Sequence, residues 1–353
     1  MIVPIELTNT QNIKYSVTID SLSSLSYETK VVVVTNPTIS ALHLEKLLSK
    51  LSATQLHVVT VPDGEEYKNL ETVENILNEL FTHKLDRKSL LIAFGGGVIG
   101  DTTGFTASIY QRGIDFVQIP TTLLSQVDAS VGGKTGVNNS FGKNLIGAFY
   151  QPKAVYIDTD FLKTLPKREF SAGIAEIVKM AVMFDADYFD YLTSLDFTNK
   201  DALEKAIQRS VELKAWVVNQ DEKEAGIRAV LNYGHTFAHV VENETKYKTY
   251  LHGEAVSIGM VMANELALEL GLISFDETKR VKEFLVKHDL PIDYEIKDSE
   301  EFYDKFFLDK KSANDKIKFI LPKNIGNFEM RDDLDKAIVI KVLERFSINR
   351  DNL

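Results

Sequence analysis

Short apolar runs mark the first part of the chain and predict buried β-strands. Each run is rich in Val, Ile and Leu and ends in a polar or glycine-rich turn; the runs are 31–34, 56–61, 90–94 and 116–119. Strands of this kind are typical of parallel sheets, which helices cover on both faces. Helical patterns, such as residues 70–81, lie between the runs, and this alternation predicts a parallel α/β sheet.

Helical spacing dominates after about residue 160, where the strand signal fades. Apolar residues recur every three to four positions in 170–183, 201–219, 235–242, 254–270 and 276–288. A late run, 316–321, predicts a strand or a hairpin. We therefore expect an α/β domain with a parallel, Rossmann-like sheet over residues 1–155. A mostly α-helical domain is expected over 156–353. In open α/β sheets, ligands bind beyond the carboxyl ends of the strands.

Composition narrows the class of protein. The 353 residues are 44% hydrophobic and 26% charged, which indicates a globular chain rather than a disordered one. The net charge of −11 argues against binding to nucleic acid or to anionic membranes. The absence of cysteine excludes disulfides, iron–sulfur clusters and thiol catalysis, so that any metal must use histidine and carboxylate ligands. No signal peptide or run of ~18 apolar residues is visible, and we expect a cytoplasmic protein.

A glycine-rich turn follows one predicted strand and opens a helix. Gly95, Gly97 and Gly100 fit the pattern G-x-G-x-x-G, in which bare backbone and a helix N-terminus can bind a pyrophosphate. A tight turn without a ligand would have the same pattern. The acid that usually binds ribose follows about 20 residues on. Asp115 has that spacing but precedes its strand, so the unit is not an ordinary Rossmann motif.

Three of the seven histidines fall close together near the middle of the helical part. His235 and His239 share one face of a helix at i, i+4, and His252 begins another helix. Upstream, Glu176 lies within an otherwise apolar helix, where a carboxylate is costly unless it is paired or metal-bound. Glu176 and two histidines would form a three-ligand metal site with open positions. Ordinary helix-face salt bridges and buried histidines remain the alternative.

Cations in or near glycine-rich loops suggest an oxyanion ligand despite the acidic chain. Lys134 and Lys143 lie beside glycines, and Lys179 follows Glu176 by one helical turn. Lys214 and Arg228 add two further cations. Taken singly, each of these could be an ordinary solvated surface charge.

Together these segments resemble the 3-dehydroquinate synthase family of the shikimate pathway, within the sugar-phosphate cyclase superfamily. The resemblance covers about residues 63–322. It depends on DGEEYK at 63–68, GGGVIGD at 95–101, RGIDFVQIPTTLLSQVDASVGGKTGVN at 112–138, GKNLIGAF at 142–149, AEIVKMA at 175–181, DEKEAGIRAVLNYGHTFAH at 221–239 and HGEAVSIGM at 252–260. It implies an active site in the cleft between the two domains.

The resemblance also implies roles for individual residues. Those matching the metal ligands, usually of one Zn2+ or Co2+ per subunit, are Glu176, His235 and His252. Those matching NAD+ contacts are Asp63, Gly64, Glu65, Glu66, Tyr67, Lys68, Gly97, Val98, Ile99, Gly100, Asp101, Thr121, Thr122, Lys134, Lys143, Phe161, Leu162, Lys163 and Thr164. Those matching the substrate pocket are Arg112, Asp128, Lys134, Lys143, Asn144, Lys179, Lys214, Arg228, Asn232 and His239.

Four of the matched positions form the predicted catalytic set: Glu224, His239, Lys134 and Asn232. Glu224 matches a residue proposed to help in proton transfer. Arg112 matches an arginine that reaches a neighbouring subunit's phosphate, so the resemblance implies a homodimer. Either Lys310 or Lys311 corresponds to a further substrate contact.

The activity implied by the resemblance is the conversion of 3-deoxy-D-arabino-heptulosonate 7-phosphate to 3-dehydroquinate and phosphate. Its course is oxidation at C5 by NAD+, elimination of phosphate, re-reduction, ring opening and an intramolecular aldol reaction, with no net redox change. The rivals are another cyclase, forming 2-deoxy-scyllo-inosose or 2-epi-5-epi-valiolone, a metal-dependent polyol dehydrogenase and a non-catalytic nucleotide-binding regulator. Lys214, Arg228 and Asn232 favour an acidic substrate. Polyol dehydrogenases of this architecture typically carry Asp where this chain has Glu176.

Overall fold

A computed structural model describes residues 1–7, 13–246, 248–307 and 316–347 of the chain. Its strands are β1 (Ile2–Glu6), β2 (Lys14–Ile19), β3 (Leu25–Thr35), β4 (Leu51–Thr60), β5 (Leu90–Gly95), β6 (Asp115–Pro120), β7 (Lys134–Asn139), β8 (Gly142–Phe149), β9 (Ala154–Ile157), β10 (Phe319–Pro322) and β11 (Phe328–Arg331). Its α-helices are α1 (Pro37–Leu48), α2 (Leu70–Thr82), α3 (Gly97–Ile109), α4 (Lys167–Phe184), α5 (Ala186–Ser194), α6 (Lys200–Gln220), α7 (His235–Glu244), α8 (His252–Glu269), α9 (Phe275–Lys287), α10 (Ser299–Lys305) and α11 (Lys336–Leu343).

The chain divides into two compact units. The first comprises Met1–Pro166 and Thr198–Lys223, and the second comprises Lys167–Phe197 and Glu224–Leu353. Helix α6 thus belongs to the first unit, where it packs against β1, although it lies beyond residue 156. The predicted boundary at 155/156 stays a prediction, as does the assignment of NAD+ to residues 1–155 and of metal and substrate to residues 156–353.

A seven-stranded sheet organises the first unit, in the order β1-β2-β9-β6-β5-β3-β4. All neighbouring strands run parallel except β1 and β2, which confirms the predicted α/β class. Successive side chains of β3 enter opposite cores: Val32 and Val34 pack on one side of the sheet, Val31 and Val33 on the other. A β-strand alternates its faces in this way, so a continuous apolar run indicates burial on both.

The sequence pattern was wrong about the burial of one strand and missed several others. Strand β4 is one of the two edge strands of the sheet, with β3 as its neighbour, so most of its side chains are partly or fully exposed rather than buried on both faces. Strands β1, β2 and β9 and the hairpin β7–β8 had no clear apolar signal. The hairpin strand β8 in particular, Gly142–Phe149, has no buried residue and carries two glycines.

Helix α8 is the centre of the second unit and is buried along almost its whole length. Helices α4, α7, α9 and α11 pack around it, as does β10 of the hairpin β10–β11. A helix that is apolar all round belongs in a core, which explains why no single polar face is visible in its sequence. The predicted mostly helical character of this part is confirmed. Among the described residues, no helix combines the length and apolarity needed to cross a bilayer.

Local sequence signals define where the helices begin. The side chain of Asn36 accepts a hydrogen bond from the Ile39 amide and caps α1, whose first residue is a proline. Ser274 and Glu277 form a capping box at the start of α9. These caps satisfy amides that a helix leaves without intrahelical partners.

His288, which follows α9, generates a prediction about pH. Its ring lies 5.0 Å from that of Phe197 and 4.5 Å from that of Phe284, and its Nε2 has no hydrogen-bond partner among the described residues. Burial, reinforced by Lys287, lowers the pKa of His288 to about 4. The unfolded chain therefore takes up a proton near pH 6.5, before the folded protein does, and stability falls as the pH drops from there toward 4.

We predict that His288→Leu makes this acid-induced loss of stability shallower. The difference in unfolding free energy between about pH 7 and about pH 4.5 should shrink by about 1–2 kcal/mol after allowance for solvent screening. Urea unfolding of both chains with chelator present measures it. A pH dependence identical to that of the parent would contradict the prediction.

Candidate active site

Glu176 is a carboxylate buried in the interior of α4, with 1% of the residue exposed. Within the described residues, neither of its oxygens accepts a hydrogen bond. Its Oε2 forms an ion pair with the Nζ of Lys179, which is also buried and lies one turn further along the helix. Burial of a carboxylate without full compensation is costly. The arrangement therefore suits a site that receives a further cation.

Two histidines face the same carboxylate. His235 begins α7 and His252 begins α8, and the Nε2 of each lies 3.9 Å from Oε1 of Glu176. One ligand atom from each residue lies within 4.8 Å of the others. A metal ion bound by nitrogen and oxygen at about 2.0–2.2 Å fits a cluster of this size. The structure thus brings together the three predicted metal ligands, and their donor set fits Zn2+ or Co2+.

Two close helix contacts bring these residues together. A Cβ atom on Gly253 would lie 2.0 Å from the carbonyl oxygen of Ala172, so only glycine lets the start of α8 approach α4. A Cβ atom on Gly259 would equally lie 2.0 Å from the carbonyl oxygen of Gly234, the residue before α7. His235 and His252 are adjacent to these contacts, and their positions follow from them.

The other ring nitrogen of each histidine has a partner that sets its tautomer. Nδ1 of His235 lies 3.2 Å from the carbonyl oxygen of Tyr233, which can only accept, so Nδ1 carries the proton. Nδ1 of His252 lies 3.3 Å from Oε1 of Glu242. Burial, then the nearby Lys179 and His252, holds the pKa of His235 well below its ordinary value of 6.5. A neutral ring with a free Nε2 lone pair is the form that binds metals.

Glu242 was not among the residues predicted from the sequence. It is buried in α7 directly after Val240 and Val241. Polar residues follow it at 243–246, so the sequence does not show here the apolar surroundings that drew attention to Glu176. Its partner His252 lies in a different helix, and the sequence pattern alone could not identify that pairing.

Several other predicted residues of the second unit belong to α7 or to the segment that precedes it. Arg228 and Asn232 belong to a short 3-10 helix, Ile227–Asn232, just before α7, and Arg228 is 1% exposed. Asn232 Nδ2 donates to Oε1 of Glu224, which adopts a left-handed backbone with φ +60°. The ring of His239 lies 5.7 Å from that of His235. Lys310 and Lys311 lie outside the described residues.

Four of the predicted cofactor segments of the first unit follow strands of the main sheet at their carboxyl ends. Residues 63–68 follow β4, 97–101 follow β5, 121–122 follow β6 and 161–164 follow β9. The four strands are parallel members of one sheet, so their carboxyl ends face the same side. These four segments, which are distant in the sequence, are thus brought together at the carboxyl ends of the strands, as expected for a nucleotide site.

The glycine-rich turn combines tight packing with unused helix donors. A Cβ atom on Gly95 would lie 2.7 Å from Ile99, and one on Gly100 would lie 2.7 Å from the Gln118 side chain. Helix α3 begins at Gly97 with no side-chain cap and no acidic residue in its first turn. Its first amides therefore remain available to an anion such as a pyrophosphate.

Lys68 connects three of the predicted segments. Its Nζ donates to Asp101 Oδ2 and to Asn144 Oδ1, each at 2.6 Å, and 5% of the residue is exposed. Burial lowers the pKa of Lys68, but the carboxylates of Asp101 and Glu65 outweigh burial and raise it overall. Lys68 is therefore a charged link between the turn at 63–68, the start of α3 and the hairpin β7–β8.

The other predicted cations of the first unit differ in their surroundings. Lys214 of α6 is buried, and its Nζ lies 2.7 Å from Oδ1 of Asp128 in the turn Ser125–Ala129. Lys134 is exposed and Lys143 half-buried, at the starts of β7 and β8. Arg112 lies apart from all of these. Helix α3 starts at the carboxyl end of β5 and is about 20 Å long, and Arg112 follows its last turn. Arg112 therefore lies near the amino end of β6, at the opposite end of the strands from the cofactor segments.

Comparison with known proteins identifies the family. The models for the 3-dehydroquinate synthase N-terminal and C-terminal regions match residues 58–172 and 173–312. The 3-dehydroquinate synthase of a Sulfurovum species is 71% identical over 346 residues, covering 98% of this chain and 99% of the relative. That of a Nitratiruptor species is 62% identical over 342 residues, covering 97% of this chain and 98% of the relative.

A solved structure supports the fold. The 2-epi-5-epi-valiolone synthase from Streptomyces hygroscopicus subsp. jinggangensis 5008, with NAD+ and Zn2+ bound, has a TM-score of 0.87 and is 26% identical, covering 97% of this chain and 99% of that one. The resemblance inferred from the sequence motifs is thus confirmed. The chain belongs to the 3-dehydroquinate synthase family.

Proposed function

We propose that this chain converts 3-deoxy-D-arabino-heptulosonate 7-phosphate to 3-dehydroquinate and phosphate, as a carbocycle-forming lyase of the shikimate pathway. The observation that carries the proposal is the convergence of Glu176, His235 and His252 beside the buried Lys179. A metal ion and a fixed cation side by side suit a substrate that carries hydroxyls next to anionic groups. The identity of 71% to a 3-dehydroquinate synthase supports the same reaction.

The proposed reaction requires two bound groups. Glu176, His235 and His252 would hold one Zn2+ or Co2+, and residues 63–68, 97–101, 121–122 and 161–164, with Lys134 and Lys143, would hold NAD+. When bound, NAD+ supplies a hydride acceptor and donor, and the metal ion supplies a Lewis acid that acidifies and orients substrate hydroxyls.

The chain's own cations orient the substrate. Lys179, Lys214 and Arg228 are buried, and we assign to them the carboxylate and phosphate groups of the substrate. We assign further substrate contacts to Asp128, Lys134, Lys143, Asn144 and His239. Charges fixed in a buried site lower the barrier by holding the reacting atoms in place, an effect worth several kcal/mol. The hydrogen bond between Asn232 and Glu224 holds the carboxylate that we assign to proton transfer.

The assembly and location of the enzyme are also part of the proposal. Arg112 is exposed and lies at the sheet edge opposite the proposed cofactor residues, so it suits contact with a neighbouring subunit better than a role in its own site. We therefore propose a homodimer in which Arg112 reaches the partner's substrate phosphate. We further propose a cytoplasmic enzyme that acts on a small metabolite and has no nucleic-acid or membrane partner.

One assay distinguishes the proposed reaction from its rivals. With the heptulosonate phosphate, catalytic NAD+ and a divalent metal, we expect stoichiometric phosphate release without net gain of absorbance at 340 nm, because the hydride is returned. Steady accumulation of NADH from a polyol would instead identify a dehydrogenase. Turnover of a sugar phosphate without a carboxylate in place of this substrate would identify another cyclase.

The metal site has its own test. His252→Ala removes one of three ligands. Loss of a residue that only orients a ligand costs up to about 100-fold in metal affinity, so we expect loss of the ligand itself to lower Zn2+ affinity by more than that. Competition with a chromophoric chelator measures the affinity. His83→Ala, at a histidine of the first unit, is the control and should leave it unchanged. An active, metal-free His252→Ala enzyme would refute the site.

Lys214 tests the assignment of the anion-binding residues. Lys214→Ala should raise KM for the heptulosonate phosphate about 10- to 100-fold, the equivalent of about 1.5–3 kcal/mol for a charged hydrogen bond, and leave NAD+ affinity intact. Steady-state kinetics and NAD+ titration measure the two quantities. Lys205→Ala, an exposed lysine of the same helix, is the matched control. An unchanged KM in Lys214→Ala would count against the assigned role.

A further inference from the structure

Glu242 is a buried carboxylate that the proposed reaction does not use. It lies in α7 with 3% of the residue exposed, and its Oε1 is 3.3 Å from Nδ1 of His252. We infer that Glu242 is a positioning residue for the metal site. Its carboxylate holds His252 in the tautomer and the ring orientation that present Nε2 to the ion. The inference rests on the metal site of the proposed function and extends it to a residue outside the ligand set.

The two histidine ligands differ in what orients them. His235 has 12% of its side chain exposed, and its Nδ1 faces the Tyr233 carbonyl oxygen, a backbone group whose position the fold sets. His252 has 36% of its side chain exposed, so packing restricts its ring less. Its Nδ1 faces a side chain instead of the backbone. A side chain, that of Glu242, therefore orients His252, whereas a backbone carbonyl orients His235.

Helix geometry explains how Glu242 reaches this position. It follows His235 by seven residues, which is close to two full turns, so both side chains lie on the same face of α7. One helix thus supplies a metal ligand and also the partner of the ligand that begins α8. The close contact between Gly234 and Gly259 keeps α7 and α8 near enough for this pairing.

The charge of Glu242 also matters for the metal. A carboxylate that accepts a hydrogen bond from Nδ1–H raises the electron density of the imidazole. The Nε2 lone pair then binds a metal ion more strongly. Bound divalent metal places positive charge on the ring, and a buried carboxylate compensates that charge. Glutamine would keep the acceptor oxygen and the size of the side chain but lose this compensation. Alanine would lose both.

The experiment measures metal binding without relying on turnover. Purified Glu242→Ala and Glu242→Gln chains are stripped of metal and titrated with Zn2+ in competition with a chelator. We expect about 10- to 100-fold weaker binding for Glu242→Ala and a smaller loss, about 3- to 10-fold, for Glu242→Gln. The visible absorption of the Co2+-loaded chains should shift in Glu242→Ala, because a rotated or weaker His252 alters the ligand field.

A matched control separates positioning from general stability. Glu244→Ala, two residues further along α7, removes a carboxylate that accepts from Tyr294 and pairs with Lys305. It should leave the Zn2+ affinity and the Co2+ spectrum of the chain as in the parent. Thermal unfolding of each metal-free chain checks that it is folded.

The outcomes are distinct. Zn2+ affinity within about twofold of the parent and an unchanged Co2+ spectrum in folded Glu242→Ala would overturn the inference while leaving the metal site intact. If Glu242→Ala does not fold, Glu242→Gln decides by the same criterion. A parent chain that binds neither ion would overturn the metal site of the proposed function and this inference with it.

Discussion

A carboxylate in the middle of a buried helix is the constraint on which the second unit depends. Removal of Glu176 from water costs free energy that a single ion pair with Lys179 offsets only in part. The Nε2 atoms of His235 and His252 face its Oε1, and a bound cation would compensate the remaining charge of the carboxylate. Helices α4, α7 and α8 must therefore meet at one point, and glycines at 253 and 259 permit the close contacts.

In the first unit, backbone geometry brings the predicted ligand-binding segments together. Parallel strands deliver four separate segments to one edge, and the start of α3 offers uncapped amides there. Side chains then fix the segments to one another. Lys68 bonds to Asp101 and Asn144, and Asn138 donates to Glu65, so the hairpin β7–β8 is tied to the turn after β4. A rigid arrangement of loops is a general requirement of sites that position a reactant.

Charge pairing explains how an acidic chain can hold buried cations. Three buried lysines each have a carboxylate partner: Lys68 with Asp101, Lys179 with Glu176 and Lys214 with Asp128. For Lys68, the neighbouring carboxylates outweigh burial and raise the pKa of the ammonium group, which therefore stays charged. The net charge of −11 describes the molecule as a whole. It does not describe the immediate surroundings of each of these lysines.

Some of this could be predicted from the sequence, because the relevant signals are local. The apolar run at 31–34, the turn Gly95–Gly100 and the carboxylate in the apolar segment around Glu176 each lie within a few residues, and each predicted its element or ligand cluster correctly. The exposure of β4, the place of α6 in the first unit and the pairing of Glu242 with His252 were decided only by the tertiary structure. Each depends on which neighbour a residue meets across the fold, and local spacing does not contain that information.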